Sequence, residues 1–405
     1  MALIVQKYGG TSVADIACIN NVADRVTKGY DRGDQMVVVL SAMAGVTDKL
    51  ISLAKEASST PDARELDVLL ATGEQTTVSL LSMILKSRGY KARSFLGFQA
   101  GIRTDHVSGK ARILDIDGTR IKEAVNDGYI AVVAGFQGAD DQGSVTTLGR
   151  GGSDTSAVAI ASSIKADVCE ILTDVDGVYT TDPRVCASAR KIRRISYEEM
   201  LEMAILGAKV LQIRSVEFAK KYNVPVHVRS SFSEEEGTMV VNESADMESV
   251  VVSGITCDMN EARITLKRVP DQPGISAKIF SPLADAEICV DMIIGNNLSG
   301  GETDLTFTVT KDDFQKAREI TEKVAKEINA AEVLTAEEIA KVSVIGLGMK
   351  SHSGVAATMF KALASENINI RLISTSEIRI SCVILAKYAE LAVRTLHSAF
   401  GLDQE

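Results

Sequence analysis

Apolar residues in this chain fall into two patterns that alternate. Short unbroken runs such as Ala2-Leu3-Ile4-Val5, Met36-Val37-Val38-Val39-Leu40 and Ile130-Ala131-Val132-Val133-Ala134 read as strands buried on both faces. Between them, apolar residues recur at helical spacing, as at Val13, Ile16, Ile19, Val22 and Val26, which predicts helices with one buried face. Further strands are predicted at Ala92–Phe95 and Val168–Thr173, with Val224–Val228 as the closing strand. A long helical region is predicted from about Ser52 to Arg88, interrupted at Ala71-Thr72-Gly73-Glu74-Gln75, and a later helix is read as carrying Gly207–Leu211. Alternation of strands and helices from residue 2 to about 230 predicts an α/β fold, a three-layer arrangement around a mostly parallel sheet.

The second half is patterned differently. Residues 233–247 are acidic and turn-rich, and the domain boundary is placed there, giving domains over 1–245 and 246–405. Beyond it the chain repeats at an offset of 80: Gly274, Ala277, Phe280, Leu283, Ala284, Ile288 and Ile293 recur as Gly354, Ala357, Phe360, Leu363, Ala364, Ile368 and Ile373. Each copy reads strand, glycine turn, helix, strand, strand, helix, a ferredoxin-like βαββαβ unit lacking a last strand. The first copy has a candidate for that strand near Ala331–Leu334, whereas the second ends in the short polar segment Phe400–Glu405. A surplus strand at Ser249–Ile255 is expected to complete the second unit. The copy at about 262–338 would then be inserted into a unit made of 248–257 plus 340–405.

Composition narrows the function. A chain of 405 residues has room for two or three cores, and 45% hydrophobic content with few aromatics and no Trp suits α/β layers. A net charge of −10 without a polybasic block argues against nucleic acid or an anionic membrane as partner. No apolar run approaches the length of a membrane span, and the chain enters a strand at once without a signal-peptide pattern. Six scattered cysteines lack CxxC spacing, and four histidines form no metal-ligand pattern. The reading is a cytoplasmic protein with no protein-bound metal site.

Two glycine turns carry the candidate chemistry. Lys7-Tyr8-Gly9-Gly10-Thr11-Ser12 follows the first strand. A lysine ahead of paired glycines and a Thr/Ser cap is suited to cradling phosphate, although it is not a Walker A loop. Gly149-Arg150-Gly151-Gly152-Ser153-Asp154-Thr155-Ser156 opens a small-residue helix, with Ser153, Asp154 and Thr155 as N-cap candidates. A third segment, Thr173-Asp174-Val175-Asp176-Gly177-Val178-Tyr179-Thr180-Thr181-Asp182-Pro183-Arg184, joins a strand end to a rigid turn. In it Tyr179 can stack on a base and Arg184 can reach phosphate. Ser41 and Thr47 flank a small-residue loop at another strand end, and Glu74 lies between apolar helix faces.

These three motifs in order, with Ser41, Thr47 and Glu74 between them, resemble the aspartokinases of the amino acid kinase family. The paired C-terminal units resemble ACT domains, which bind amino acids. The resemblance implies ATP-dependent phosphorylation of the side-chain carboxylate of L-aspartate, with Mg²⁺ arriving on the nucleotide. It implies phosphate contacts from Lys7 and the Gly9, Gly10 and Gly152 amides, with Asp154 orienting Lys7. Glu74 would meet the substrate ammonium, Arg150 its α-carboxylate, and Ser41 and Thr47 the substrate. Thr173, Asp174, Tyr179, Asp182, Arg184 and Lys209 fall where the family binds ATP. Tyr8 replaces the commoner Phe and is expected to be benign.

Effector binding of lysine, threonine or both is implied at the Gly274 and Gly354 turns. Asp271, Ser276 and Asn296 would serve the first site, and Val355, Asn369, Ile370 and Ser376 the second. A homodimer or larger assembly through the ACT units is expected. The rivals are another member of the amino acid kinase family, acting on glutamate, acetylglutamate or a nucleotide, and a non-catalytic amino-acid sensor. A nicotinamide enzyme is disfavoured because no GxGxxG follows a strand.

Overall fold

The unbroken apolar runs become the centre of an eight-stranded sheet in the computed structural model, which describes residues 1–208, 210–243, 251–298, 300–350 and 352–404. Two units emerge. The first comprises Met1–Val178, Lys191–Ile205 and Lys209–Met247, and the second Tyr179–Arg190, Leu206–Ala208 and Glu248–Glu405.

The first unit runs β1 (Leu3–Tyr8), α1 (Ile16–Asp31), β2 (Gln35–Leu40), α2 (Val46–Ala57), α3 (Ala63–Ser87), β3 (Ala92–Phe95), β4 (Ile102–Thr104), β5 (Ile113–Ile116) and α4 (Thr119–Asn126). It continues with β6 (Ile130–Ala134), β7 (Gln137–Ala139), β8 (Val145–Thr147), α5 (Gly152–Ile164), β9 (Val168–Thr173), β10 (Arg194–Ser196), α6 (Tyr197–Ile205), α7 (Ile213–Tyr222), β11 (Val226–Ser230) and β12 (Thr238–Val241). The large sheet is ordered β10-β12-β11-β9-β1-β2-β6-β3, and only the β11–β12 pair is antiparallel. Helices α1 and α3 pack on the face presenting Tyr8, Val38, Leu40 and Val132. Helix α5 packs on β1, β2 and β9, and α4 on β2 and β6. The strands lie between helix layers, which is why their apolar runs are unbroken. A small sheet, β5-β4-β7-β8, stands apart.

Several local expectations need correction. The predicted interruption at Ala71–Gln75 does not occur: α3 runs straight through it, and the break falls earlier, where Asp62 caps α3 by accepting from the Arg64 and Glu65 amides. Gly73 sits mid-helix because a Cβ there would lie 2.7 Å from Ala42 Cβ, so it marks close packing rather than a helix end. Val224–Val228 is not the closing strand, since β12 and β10 lie beyond β11, and β12 forms inside the acidic stretch. Gly207 lies between α6 and α7 with φ +103° rather than within a helix. Ile16 is 50% exposed at the first turn of α1. Helix α3 is long and apolar enough to cross a membrane by length and composition, yet its buried face carries Asp67 and Glu74, as in a core helix.

The second unit is built from β13 (Gly254–Pro270), α8 (Ile275–Asp285), β14 (Val290–Leu298), β15 (Glu302–Thr310), α9 (Lys311–Glu327), β16 (Glu332–Ile345), α10 (Val355–Ser365), β17 (Leu372–Thr375), β18 (Arg379–Leu385) and α11 (Ala389–Ala399). Its six strands are ordered β14-β15-β13-β16-β18-β17. The long strands β13 and β16 run through both copies: Gly254–Asp258 pairs with Ile345–Lys341, and Arg263–Lys267 with Ala336–Glu332. Val252 and Ile255 are buried in the core of the second copy, with Val344 and Leu363, while Ile264, Phe307 and Leu283 centre the first. Of the surplus strand, residues 249 and 250 lie outside the described residues.

Met292 of β14 clusters with Val383 of β18, and Leu372 of β17 packs against them, although β14 and β17 are opposite edges of the sheet. The sheet therefore folds over, with its helix-free faces inward. In that interior Lys341 bonds Glu261 at 2.6 Å and also Asp291, and Glu261 and Lys341 occupy equivalent positions 80 residues apart. Burial pushes the Glu261 carboxyl above its ordinary range.

The segment Tyr179–Arg190 belongs to this second unit. Thr180 Oγ1 lies 2.8 Å from His397 Nε2, the Ile255 amide donates to Thr180 O, and Arg190 Nε donates to Leu402 O.

Candidate active site

Parallel strands of the first unit end along one edge, where open α/β sheets place their ligand crevices. β1 delivers Lys7, β2 delivers Ser41, β6 leads into Gly135-Phe136, and β9 delivers Thr173 and Asp174. Because β1 pairs with β2 on one side and β9 on the other, Lys7 lies between Val39 and Ile171. The alternation of β1 sends Lys7 to the α5 face and Tyr8 to the α1 face. Lys7 is 8% exposed, and its Nζ is 2.5 Å from Asp154 Oδ1 in the first turn of α5. A buried cation thus stands at a helix N-terminus with a single carboxylate to hold it.

The N-cap of α5 is Gly151, with φ +72° and no side-chain cap bond. The expected caps Ser153, Asp154 and Thr155 lie inside the helix instead, which leaves the Asp154 carboxylate for Lys7. Gly149 and Gly151 both adopt positive φ and present Arg150 between them as an exposed side chain. A side chain at Gly151 would overlap Gln212 Cγ at 1.9 Å, so this loop needs glycine on both counts.

Two of the amides read as phosphate donors are already committed. Gly9 N–H donates to Leu172 O at 3.2 Å, and Gly152 N–H to Gly149 O at 2.9 Å. These residues shape the cradle by holding its turns closed, whereas Gly10 enters no such bond among the described residues.

Glu74 comes from the buried face of α3 and is 3% exposed. Its Oε1 accepts the Ala42 amide at 3.0 Å, and its Oε2 has no partner among the described residues. Burial raises its pKa to about 7, offset in part by the Ala42 bond. A buried carboxylate with one empty lone-pair side is suited to a cation or ammonium. Ser41 is fixed by its amide donating to Tyr8 O and by Thr77 Oγ1 donating to Ser41 O. Thr47 sits half-buried in the first turn of α2. The Tyr8 hydroxyl donates to Gln6 Oε1, while Gln6 Nε2 donates to Glu170, so the extra oxygen relative to Phe is accommodated.

Thr173 Oγ1 donates to its neighbour Asp174. Tyr179, Asp182 and Arg184 fall in the second unit. There Arg184 forks onto Asp182, with Nη2 at 2.7 Å and Nε at 3.0 Å, and this pairing holds the Asp182 carboxyl below its ordinary range. Lys209 lies outside the described residues. In the second unit, Gly274 and Gly354 are left-handed N-caps of α8 and α10. Asp271, Ser276, Asn296, Asn369 and Ser376 are exposed, Ile370 is half-buried, and Val355 is buried. Among the described residues, no cluster of three His, Cys, Asp or Glu side chains could hold a metal ion.

Sequence reasoning missed three residues that shape the site. Phe136 adopts φ +66°, unusual for a bulky side chain, and its amide donates to Ser156 Oγ in α5. Arg214 donates to Leu148 O at 2.6 Å and to Ala111 O at 2.9 Å, clamping the chain just before Gly149. Asp67, 1% exposed, binds that chain from the other side. A carboxylate seven residues before Glu74, on the same apolar face of α3, was the available signal for Asp67.

Residues 2–230 match the model of the amino acid kinase family, and 267–324 with 342–400 match that of the ACT domain. An aspartate kinase of Pseudomonas putida is 55% identical over 404 residues, covering 100% of this chain and 98% of that protein. Among solved structures, E. coli aspartokinase III in complex with aspartate and ADP, in the R-state, superposes with a TM-score of 0.80 at 29% identity. The match covers 98% of this chain and 99% of that one. The same enzyme with lysine and aspartate, in the T-state, gives a TM-score of 0.79 at 28% identity, with the same shares of the two chains covered.

Proposed function

The chain belongs to the aspartate kinases of the amino acid kinase family, and from that premise we propose how its residues divide the reaction. An oxygen of the aspartate side-chain carboxylate attacks the γ-phosphorus of ATP, the bond to the bridging oxygen of ADP breaks, and 4-phospho-L-aspartate forms. The nucleophile is already ionised at pH 7, so no general base is required. Catalysis then consists of positioning and of stabilising charge on the transferring group.

Lys7 neutralises the β- and γ-phosphates, and Asp154 holds its ammonium in place. The amides at Gly10 and at the N-terminus of α5 add donors. Glu74 takes the α-ammonium of aspartate on its unpartnered oxygen, and Arg150 forks onto the α-carboxylate. Ser41 and Thr47 complete the substrate site. Thr173, Asp174, Tyr179, Asp182, Arg184 and Lys209 serve the nucleotide. Mg²⁺ arrives on the phosphates, where it neutralises charge. The ACT units take lysine, threonine or both at the Gly274 and Gly354 turns, completed by a second copy of the chain. The free thiols fit a cytoplasmic enzyme.

The observation that carries the catalytic assignment is the buried Lys7–Asp154 pair at 2.5 Å. Lys7→Ala is expected to lower kcat by a factor on the order of 10²–10³, the scale of losing one charge stabiliser, and to lower the melting temperature, because the buried Asp154 carboxylate loses its partner. Near-normal turnover in the folded variant would refute the role. Arg150→Lys is expected to raise KM for aspartate far more than KM for ATP, and the reverse split would assign Arg150 to the nucleotide.

A further inference from the structure

The chain entering the glycine loop, from Val145 to Leu148, is gripped by a buried acid. Asp67 accepts the Thr147 amide at 3.1 Å and the Thr147 hydroxyl at 2.5 Å. It also accepts the Gly109 amide on both oxygens, at 3.0 and 3.1 Å. All of these donors are neutral. The Ala111 amide in turn donates to Thr147 O, so one carboxylate ties two chain segments together three residues before Arg150.

Asp67 stands seven residues before Glu74, two helical turns on a common buried face of α3. Glu74 is fixed to the β2 loop through the Ala42 amide, and Asp67 is fixed to the end of β8. Helix α3 therefore carries Glu74 itself and, through Asp67, holds the chain that leads to Arg150. We infer that Asp67 is a positioning residue for the amino acid substrate: it sets the distance from Arg150 to Glu74, and so the fit of the α-carboxylate when the ammonium is held. This rests on the assignment of Glu74 and Arg150 to the substrate's α-carbon groups. The nucleotide side, Lys7 and Asp154, does not pass through Asp67. Nothing in the hydrogen bonding of Thr147 touches a phosphate contact.

The physical reason for an acid here is donor geometry. Two backbone amides and one hydroxyl converge on one buried point, and only a group that is acceptor on both oxygens satisfies them all. Asp67→Asn places an NH₂ against an N–H donor, forcing the β8 end to shift while conserving shape. A displacement near 1 Å in a substrate-holding loop costs on the order of a hundredfold.

The test uses the full-length enzyme with aspartate and ATP varied separately. Asp67→Asn is expected to raise KM for aspartate ten- to a hundredfold, leaving KM for ATP within about twofold and kcat at saturating aspartate largely retained. Thr147→Val removes the hydroxyl donor but keeps the amide and the side-chain shape, and it is expected to give the same split at smaller size. The double variant should be less than multiplicative, since both act through one bond. A general loss, with kcat falling and both KM values rising together with the melting temperature lowered, would make Asp67 merely structural and overturn the inference. If Asp67→Asn does not fold, the KM split of Thr147→Val decides alone. Arg150→Lys run alongside separates the two levels. A selective aspartate effect there, without one in the Asp67 and Thr147 variants, sinks only this inference. No aspartate effect at Arg150 sinks the assignment beneath it.

Discussion

Glu74 is a carboxylate enclosed by protein, burial raises its pKa to about 7, and the proposed capture of the substrate ammonium would therefore depend on pH. Its folded value lies above the ordinary 4.5, so between those values the folded state binds more protons than the unfolded one. Stability from this group is therefore greatest at low pH and falls as pH rises through the window. Pairing with an ammonium requires the ionised form. The expected profile is a kcat/KM for aspartate that climbs to a plateau above about pH 7. Glu74→Gln should flatten that rise and weaken aspartate strongly. A rise that persists in Glu74→Gln would assign the titration elsewhere. The identities of Lys7, Glu74 and Arg150 were legible as candidates because glycine turns and buried-face charges are rare patterns. The Gly9 and Gly152 amides were not, since only the folded turn reveals which carbonyl each one already serves.

At the scale of elements, α3 carries Asp67 and Glu74 of the proposed site, and its glycine shows how closely it must approach. Gly in a helix interior costs about 1 kcal/mol relative to Ala. Gly73 persists because a methyl group there would meet Ala42 Cβ at 2.7 Å, on the loop that also bonds Glu74. Gly73→Ala is expected to gain helix propensity yet raise KM for aspartate at least tenfold, as the Ser41–Ala42 loop moves away from Glu74. Steady-state kinetics with a thermal melt checks both parts, and an unchanged KM would mean that the loop yields freely. The sequence reading placed a break at this glycine because a local pattern cannot distinguish a helix stop from a packing contact with a loop about 30 residues away.

For the whole molecule, the second unit leaves two sheet edges, β14 and β17, each ending the six-stranded order. Ile293 and Ile373, equivalent in the two copies, are 54% and 43% exposed on those edges. Apolar edge strands favour pairing with another chain. Ile293→Lys combined with Ile373→Lys is expected to convert the proposed dimer to monomer in sedimentation and to abolish the proposed inhibition by lysine or threonine, while the uninhibited rate persists. A variant that stays dimeric and inhibitable would place the assembly contact on another surface.

Taken alone, the sequence determined the layer order, the doubled C-terminal unit and the places of the glycine turns. Those are local or periodic signals: runs buried on two faces, an 80-residue recurrence, and residue types that few backbones other than a tight turn can use. The tertiary structure decided what depends on distant partners. It seated Asp67 against Thr147, added β12 and β10 beyond β11, and drew Tyr179–Arg190 into the second unit. Each of these is a choice among hydrogen-bond or packing partners far apart in the chain. Burial settles that choice by making an unpaired polar group costly, and burial exists only once the layers have closed.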